Sequence, residues 1–200
     1  MENTKEDLFK LIEEISHIDE IKPSEIPCVD LYMDQVTTFF DDKLQSLKRD
    51  DEDKILTKTM INNYAKAKIL LPIKGKKYSK EQIILLSLIY NLKQILSIND
   101  LSLLLSPIVN NLSKDEKLSF PLEDLYSTFL NLNKLQGDEF SSWLKNKIEL
   151  VNEKADQINS EDKDIITIIL TVLTLISSAS LQKRMAEKII DNFFKNEAKK

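Results

Sequence analysis

Apolar residues recur at helical spacing along most of this 200-residue chain. Leu8, Leu11, Ile12, Ile15 and Ile18 fall three and four apart, which predicts an amphipathic helix over Thr4–Ile18, opened by a Thr4/Asp7 pair resembling a capping box. The stretch IKPSEIP follows, and Pro23 and Pro27 block helix there. Periodicity resumes over Val29–Leu47, with Leu31, Val36, Phe39, Phe40, Leu44 and Leu47 apolar. After the charged connector KRDDEDK, Leu56–Leu71 reads as helix with Thr57 or Thr59 as cap. Met60, Ile61 and Tyr64 face inward there, leaving Lys58, Asn62, Asn63, Lys66 and Lys68 outside. Lys80–Leu96 is apolar nearly all round and is predicted to be buried on most sides. Ser97 caps a short helix, Ile98–Leu105, which Pro107 is expected to terminate.

Beyond Pro107 the pattern changes. Asn110–Lys117 is a polar linker, and Ser119–Leu135 is helical. Gly137-Asp138 is expected to end that helix and start another. In the next helix Phe140, Trp143, Leu144, Ile148, Val151, Ala155 and Ile158 form an a/d-like stripe, suited to an intramolecular core or to self-association. The last helix runs from about Lys163 to Phe194. The pattern divides the chain into an N-terminal helix (1–22), a module over 29–106 and a helical C-terminal half (118–200).

Composition sharpens this into an all-α fold. Two glycines and five prolines are too few for many tight turns, and 42% hydrophobic residues can build a core. A single cysteine, Cys28, excludes an internal disulfide and fits a reducing cytosol. The start MENTKEDL lacks the basic and apolar regions of a signal peptide, so a cytoplasmic location is expected. Ile165–Leu181 carries no charge over seventeen residues. That is short of the about 20 needed to cross a bilayer, so no membrane span is expected. Thr167, Thr171, Thr174 and Ser178 share one face of it. The run reads as a core helix covered on most sides, or as one whose small-residue stripe meets a partner subunit.

Charge singles out one window. Lys54–Lys80, KILTKTMINNYAKAKILLPIKGKKYSK, holds eight lysines and no acid. The chain's formal charge is −5, so the window is +8 and the remainder −13. An acidic protein with one clean cationic patch points to an anionic partner, and double-stranded DNA fits best. Asn side chains can read adenine edges while lysines hold flanking phosphates. The candidate DNA-binding residues are Lys58, Thr59, Asn62, Asn63, Tyr64, Lys66, Lys68, Lys74, Lys76, Lys77 and Tyr78. Six phosphate contacts would give a salt slope near −5.

The segments NNYAKAKILLP, GKKYSKEQI and SINDLSLLL resemble the DNA-binding region of MerR-type regulators. In that pattern a helix and "YYEKEGLL" precede a basic wing ending in Tyr-Ser, an apolar helix and "S-x-x-[DE]-[IL]". VDLYMDQVTTFFDDKL with KTMINNYAKAKILLPIKGKKYSKE is similar to a domain-of-unknown-function family (1836) of Gram-positive bacteria, thought to carry a MerR-like winged helix-turn-helix. The resemblance implies a small β-ribbon wing around Gly75, packed with a C-terminal helical bundle. It also implies a phosphate contact for Tyr64, wing cations at Lys76 and Lys77, a wing-strand tyrosine at Tyr78, and a homodimer with an inducer pocket in the C-terminal half. Asn62 and Asn63 replace the usual Arg-Tyr, the wing is shorter, and the connector before the recognition helix is longer. Lysine in place of arginine gives up bidentate guanine contacts and favours backbone binding.

Catalysis finds little support. One His (His17) and one Cys build no metal set, and no nucleotide-loop or hydrolase motif is present. His17 reads as a surface imidazole and Cys28 as a buried thiol. Asp41-Asp42 and Asp50–Asp53 lie in solvated charged runs. The expectation is a transcriptional regulator that is not an enzyme and needs no cofactor. The alternative is an interaction adaptor or membrane-surface protein whose basic patch binds an acidic partner.

Overall fold

The computed structural model describes residues 2–15, 19–73, 75–113 and 120–195. Those residues form seven α-helices and one two-stranded sheet, a mostly helical protein. His17, Lys74 and residues 114–117 of the polar linker lie outside the described residues.

Helix α4 (Lys80–Leu92) is buried along eight consecutive residues, Gln82–Ile89. Around it pack α2 (Met33–Leu44), α3 (Lys58–Lys66), α5 (Ile98–Ser113) and the start of α6 (Leu122–Asp156). Val36, Phe40, Ile61, Leu101, Leu105 and Tyr126 belong to this one core. The two buried polar side chains of α4 inside it are satisfied, as buried dipoles usually are. Gln82 accepts from the Ser79 backbone amide at 2.8 Å and donates to the Leu71 carbonyl at 2.9 Å. Ser87 Oγ donates to the Ile83 carbonyl at 3.0 Å.

The chain divides into two compact units, Asp19–Leu130 with Met185–Lys200, and Met1–Ile18 with Asn131–Arg184. In the second unit, Ile12 of α1 (Glu2–Ile15) packs with Leu144 and Ile148 of α6. Leu8, Phe9, Phe140, Trp143 and Leu175 surround them, so much of the a/d-like stripe is used inside the chain.

Helix α7 (Lys163–Phe193) departs from the expected core helix. It is long and apolar enough to cross a membrane by length and composition, and only 11% of its most apolar window is buried. Its small-residue face turns inward: Thr167 and Thr171 are buried, while Ile165, Val172 and Ile176 are exposed.

Two helix ends also differ from expectation. Helix α5 runs through Pro107 to Ser113. Pro107 removes the amide that would bond the Leu103 carbonyl, and Ser106 Oγ donates to that carbonyl instead, at 2.9 Å. Ile108 and Val109 then anchor the last turns in the core. Helix α6 continues through Gly137 for 35 residues, since one glycine costs only about 1 kcal/mol relative to alanine.

The sheet pairs β1 (Leu31–Tyr32) antiparallel with β2 (Lys77–Tyr78), in register Leu31↔Tyr78 and Tyr32↔Lys77. The strand leaving the Gly75 turn therefore joins the segment before α2, which periodicity had assigned to helix.

Candidate nucleic-acid interface

Thr57 caps α3, its Oγ1 accepting from the Met60 amide at 3.1 Å. Ile55 and Leu56 are buried just upstream. Lys93, at the end of α4, donates to the Ile55 carbonyl at 2.6 Å. Its half-buried ammonium is held below the usual lysine range by desolvation. These contacts fix where α3 begins after the long charged connector.

At 100° per residue, Lys58, Thr59, Asn62, Asn63 and Lys66 fall on one side of α3, and all five are exposed. Ile61 and Tyr64 occupy the other side and are buried. The tyrosine ring belongs to the core, and burial pushes its phenol upward in pKa.

The helix ends in a Schellman motif. The Ile69 amide donates to the Tyr64 carbonyl at 3.0 Å, and the Lys68 amide donates to the Ala65 carbonyl at 3.0 Å. Lys68 sits at the left-handed position, φ 58°, where glycine is usual. Gly75 (φ 60°) and Lys76 (φ 62°) are both left-handed and lead into β2. Among the described residues, Lys68 and Lys76 are the non-glycine residues with positive φ, and both are exposed lysines of the basic window.

The other lysines of the basic window, and Tyr78, divide by environment. Lys58 pairs with Asp34 of α2. Lys77 is partly buried, its Nζ 5.1 Å from the Tyr32 ring centroid. Lys80 pairs with Glu123 at 2.7 Å, which raises its pKa. Tyr78 is 1% exposed, its pKa is raised by burial, and its hydroxyl has no hydrogen-bond partner among the described residues. Lys54, Lys66, Lys68 and Lys76 are exposed with no ion pair to a described residue.

Spacing distinguished inner from outer residues on α3, whereas the burial of Tyr78 required the β1 pairing, in which Leu31 meets Tyr78, 47 positions along the chain. Cys28 is exposed rather than buried. No group of three potential metal ligands occurs among the described residues.

No curated protein and no solved structure matches the chain. A family model does, described as domain of unknown function DUF1836 and covering residues 21–129. That span nearly coincides with the continuous part of the first compact unit, Asp19–Leu130. Its two ends are joined where Tyr126 Oη donates to the Ile21 carbonyl at 2.7 Å. With more than half its length inside that match, the chain belongs to the DUF1836 family.

Proposed function

We propose that the chain is a DNA-binding transcriptional regulator that presents α3 to the major groove and the Gly75–Lys76 turn to the adjacent backbone, in the manner of a MerR-like winged helix-turn-helix. The supporting observation is an acid-free sequence window whose exposed part gathers on the outer side of α3 and on two left-handed positions after it. Asn62 and Asn63 are placed to meet base edges, and Lys66, Lys68 and Lys76 to meet phosphates. The ion pair holding Lys58 is solvent-exposed and worth at most about 1 kcal/mol, so a phosphate can displace Asp34. Tyr64 and Tyr78 shape the surface from beneath.

The same reading makes the protein a cytoplasmic homodimer, as regulators with one helix-turn-helix generally are, with the inducer site in the C-terminal half.

The test replaces Lys66, Lys76 and Lys77 together with Glu. Binding to random duplex, followed through rising salt and heparin competition, is expected to disappear while the helical circular dichroism stays. Duplex binding that survives the triple change sinks the site assignment. Wild-type protein that ignores duplex but captures acidic protein favours an adaptor instead.

A further inference from the structure

Helix α7 is amphipathic in the reverse sense. An ordinary surface helix turns its apolar side to the core and its polar side to water. Here the buried positions of the uncharged run are Thr167 and Thr171, and Thr171 Oγ1 finds no partner among the described residues. Facing away are Ile165, Ile168, Ile169, Val172, Leu173 and Ile176, each between 43% and 62% exposed. At 100° per residue they fill an arc of about 140°. Soluble monomers rarely leave so continuous an apolar face in water.

We infer that this face is covered by the same face of a second copy of the chain, with the two α7 helices antiparallel. The six positions are spaced three, one, three, one, three, which reads identically from either end. A two-fold axis between Leu170 and Thr171 pairs Ile165 with the other copy's Ile176, Ile168 with its Leu173, and Ile169 with its Val172. Such an isologous contact closes on itself. The ends of the run carry opposite net charge: Glu161, Asp162 and Asp164 outweigh Lys163 at the start, and Lys183 and Arg184 stand at the finish. Antiparallel docking brings acid toward base, whereas parallel docking stacks like charges.

A bilayer is the competing cover, and the unit's own charges oppose it. Leu175 packs beside Ile12 and Leu144, whose neighbours Glu13 and Lys145 form an ion pair. Lys5 and Glu149 form another on the same two helices, α1 and α6. A bilayer-spanning α7 would carry these groups toward hydrocarbon, where each charge costs about 2.5–3.5 kcal/mol at mid-depth.

The inference gives a surface to the dimer of the preceding section. It is tested without DNA, so its failure leaves the lysine assignment standing. In sedimentation of the full chain, the wild type is expected to be dimeric and Val172→Glu to weaken association at least about tenfold with helical content retained. In a Cys28→Ser background, Ile165→Cys and Ile176→Cys chains are made separately. Mixed and mildly oxidised, they are expected to cross-link to each other. Each alone is expected to cross-link poorly, because like positions lie about 16 Å apart along the axis. A wild type that stays monomeric overturns the inference. So does preferential cross-linking of either chain with itself, or partition of the protein into phospholipid vesicles. If Val172→Glu loses helix, the cross-linking pattern decides.

Discussion

Lys68 holds a left-handed backbone that glycine would adopt freely. A lysine there is strained by about 1 kcal/mol, and such strain is characteristic of positions kept for a ligand. Lys68→Gly is therefore expected to raise the stability of the fold by about 0.5–1 kcal/mol while weakening duplex binding. Thermal unfolding and a binding titration on the same samples check both directions. Tyr126 gives a second prediction. Burial pushes its phenol up to about 12, against an ordinary value near 10. The folded state therefore holds its proton more tightly than the unfolded chain. That contribution to stability is complete below about pH 10, begins to fall there, and is lost as pH rises through about 12. Tyr126→Phe removes this alkaline dependence. It also leaves the Ile21 carbonyl without its donor, costing about 1–3 kcal/mol at neutral pH. Denaturant melts at pH 7 and in the alkaline range separate the two effects. Neither residue was legible in advance for these roles: a positive φ and a 105-residue hydrogen bond leave no local periodic trace.

Among the elements, helix existence followed from the spacing of apolar residues, since the same burial that stabilises a helix writes its period. Helix ends were harder to read. Pro107 was expected to stop α5 because proline removes a backbone donor. The neighbouring Ser106 supplies another, an exchange visible only in three dimensions. Ser106→Ala is accordingly expected to destabilise by about 1 kcal/mol and to raise amide exchange across Ile108–Leu112, as hydrogen-exchange mass spectrometry can measure. Helix α3 was the most legible part of the candidate site, because Ile61 and Tyr64 turn inward at the spacing that leaves Asn62, Asn63 and Lys66 outside. The β1–β2 pairing was the least legible. Two rungs joining Leu31–Tyr32 to Lys77–Tyr78 are too short to show an alternating pattern.

For the whole molecule, the central quantity is how many cations a polyanion can engage. Four lysines of the window are exposed and unpaired among the described residues, and two more sit in ion pairs. Counterion release then predicts a slope of log K against log salt of about −4 per chain, approaching −5 if Lys58 and Lys80 exchange their carboxylates for phosphates. Titrations at a series of salt concentrations check this, and Asp34→Asn should move the slope little while raising affinity. The positive window could be read from charge counting because like charges cluster in sequence here. The reversed α7 could not, since composition is the same whichever side of a helix meets the core.

The short ladder at β1 carries a practical corollary. A fragment starting at Met33 would retain every lysine of the cationic segment and the whole of α3, yet lack the strand that holds Tyr78 in place. With its anchor gone, the Gly75–Lys76 bend would be free to swing, and duplex affinity is expected to drop even though no proposed contact residue has been removed. Comparing that fragment with one starting at Ile21 would show how far grip depends on a tether outside the gripping surface.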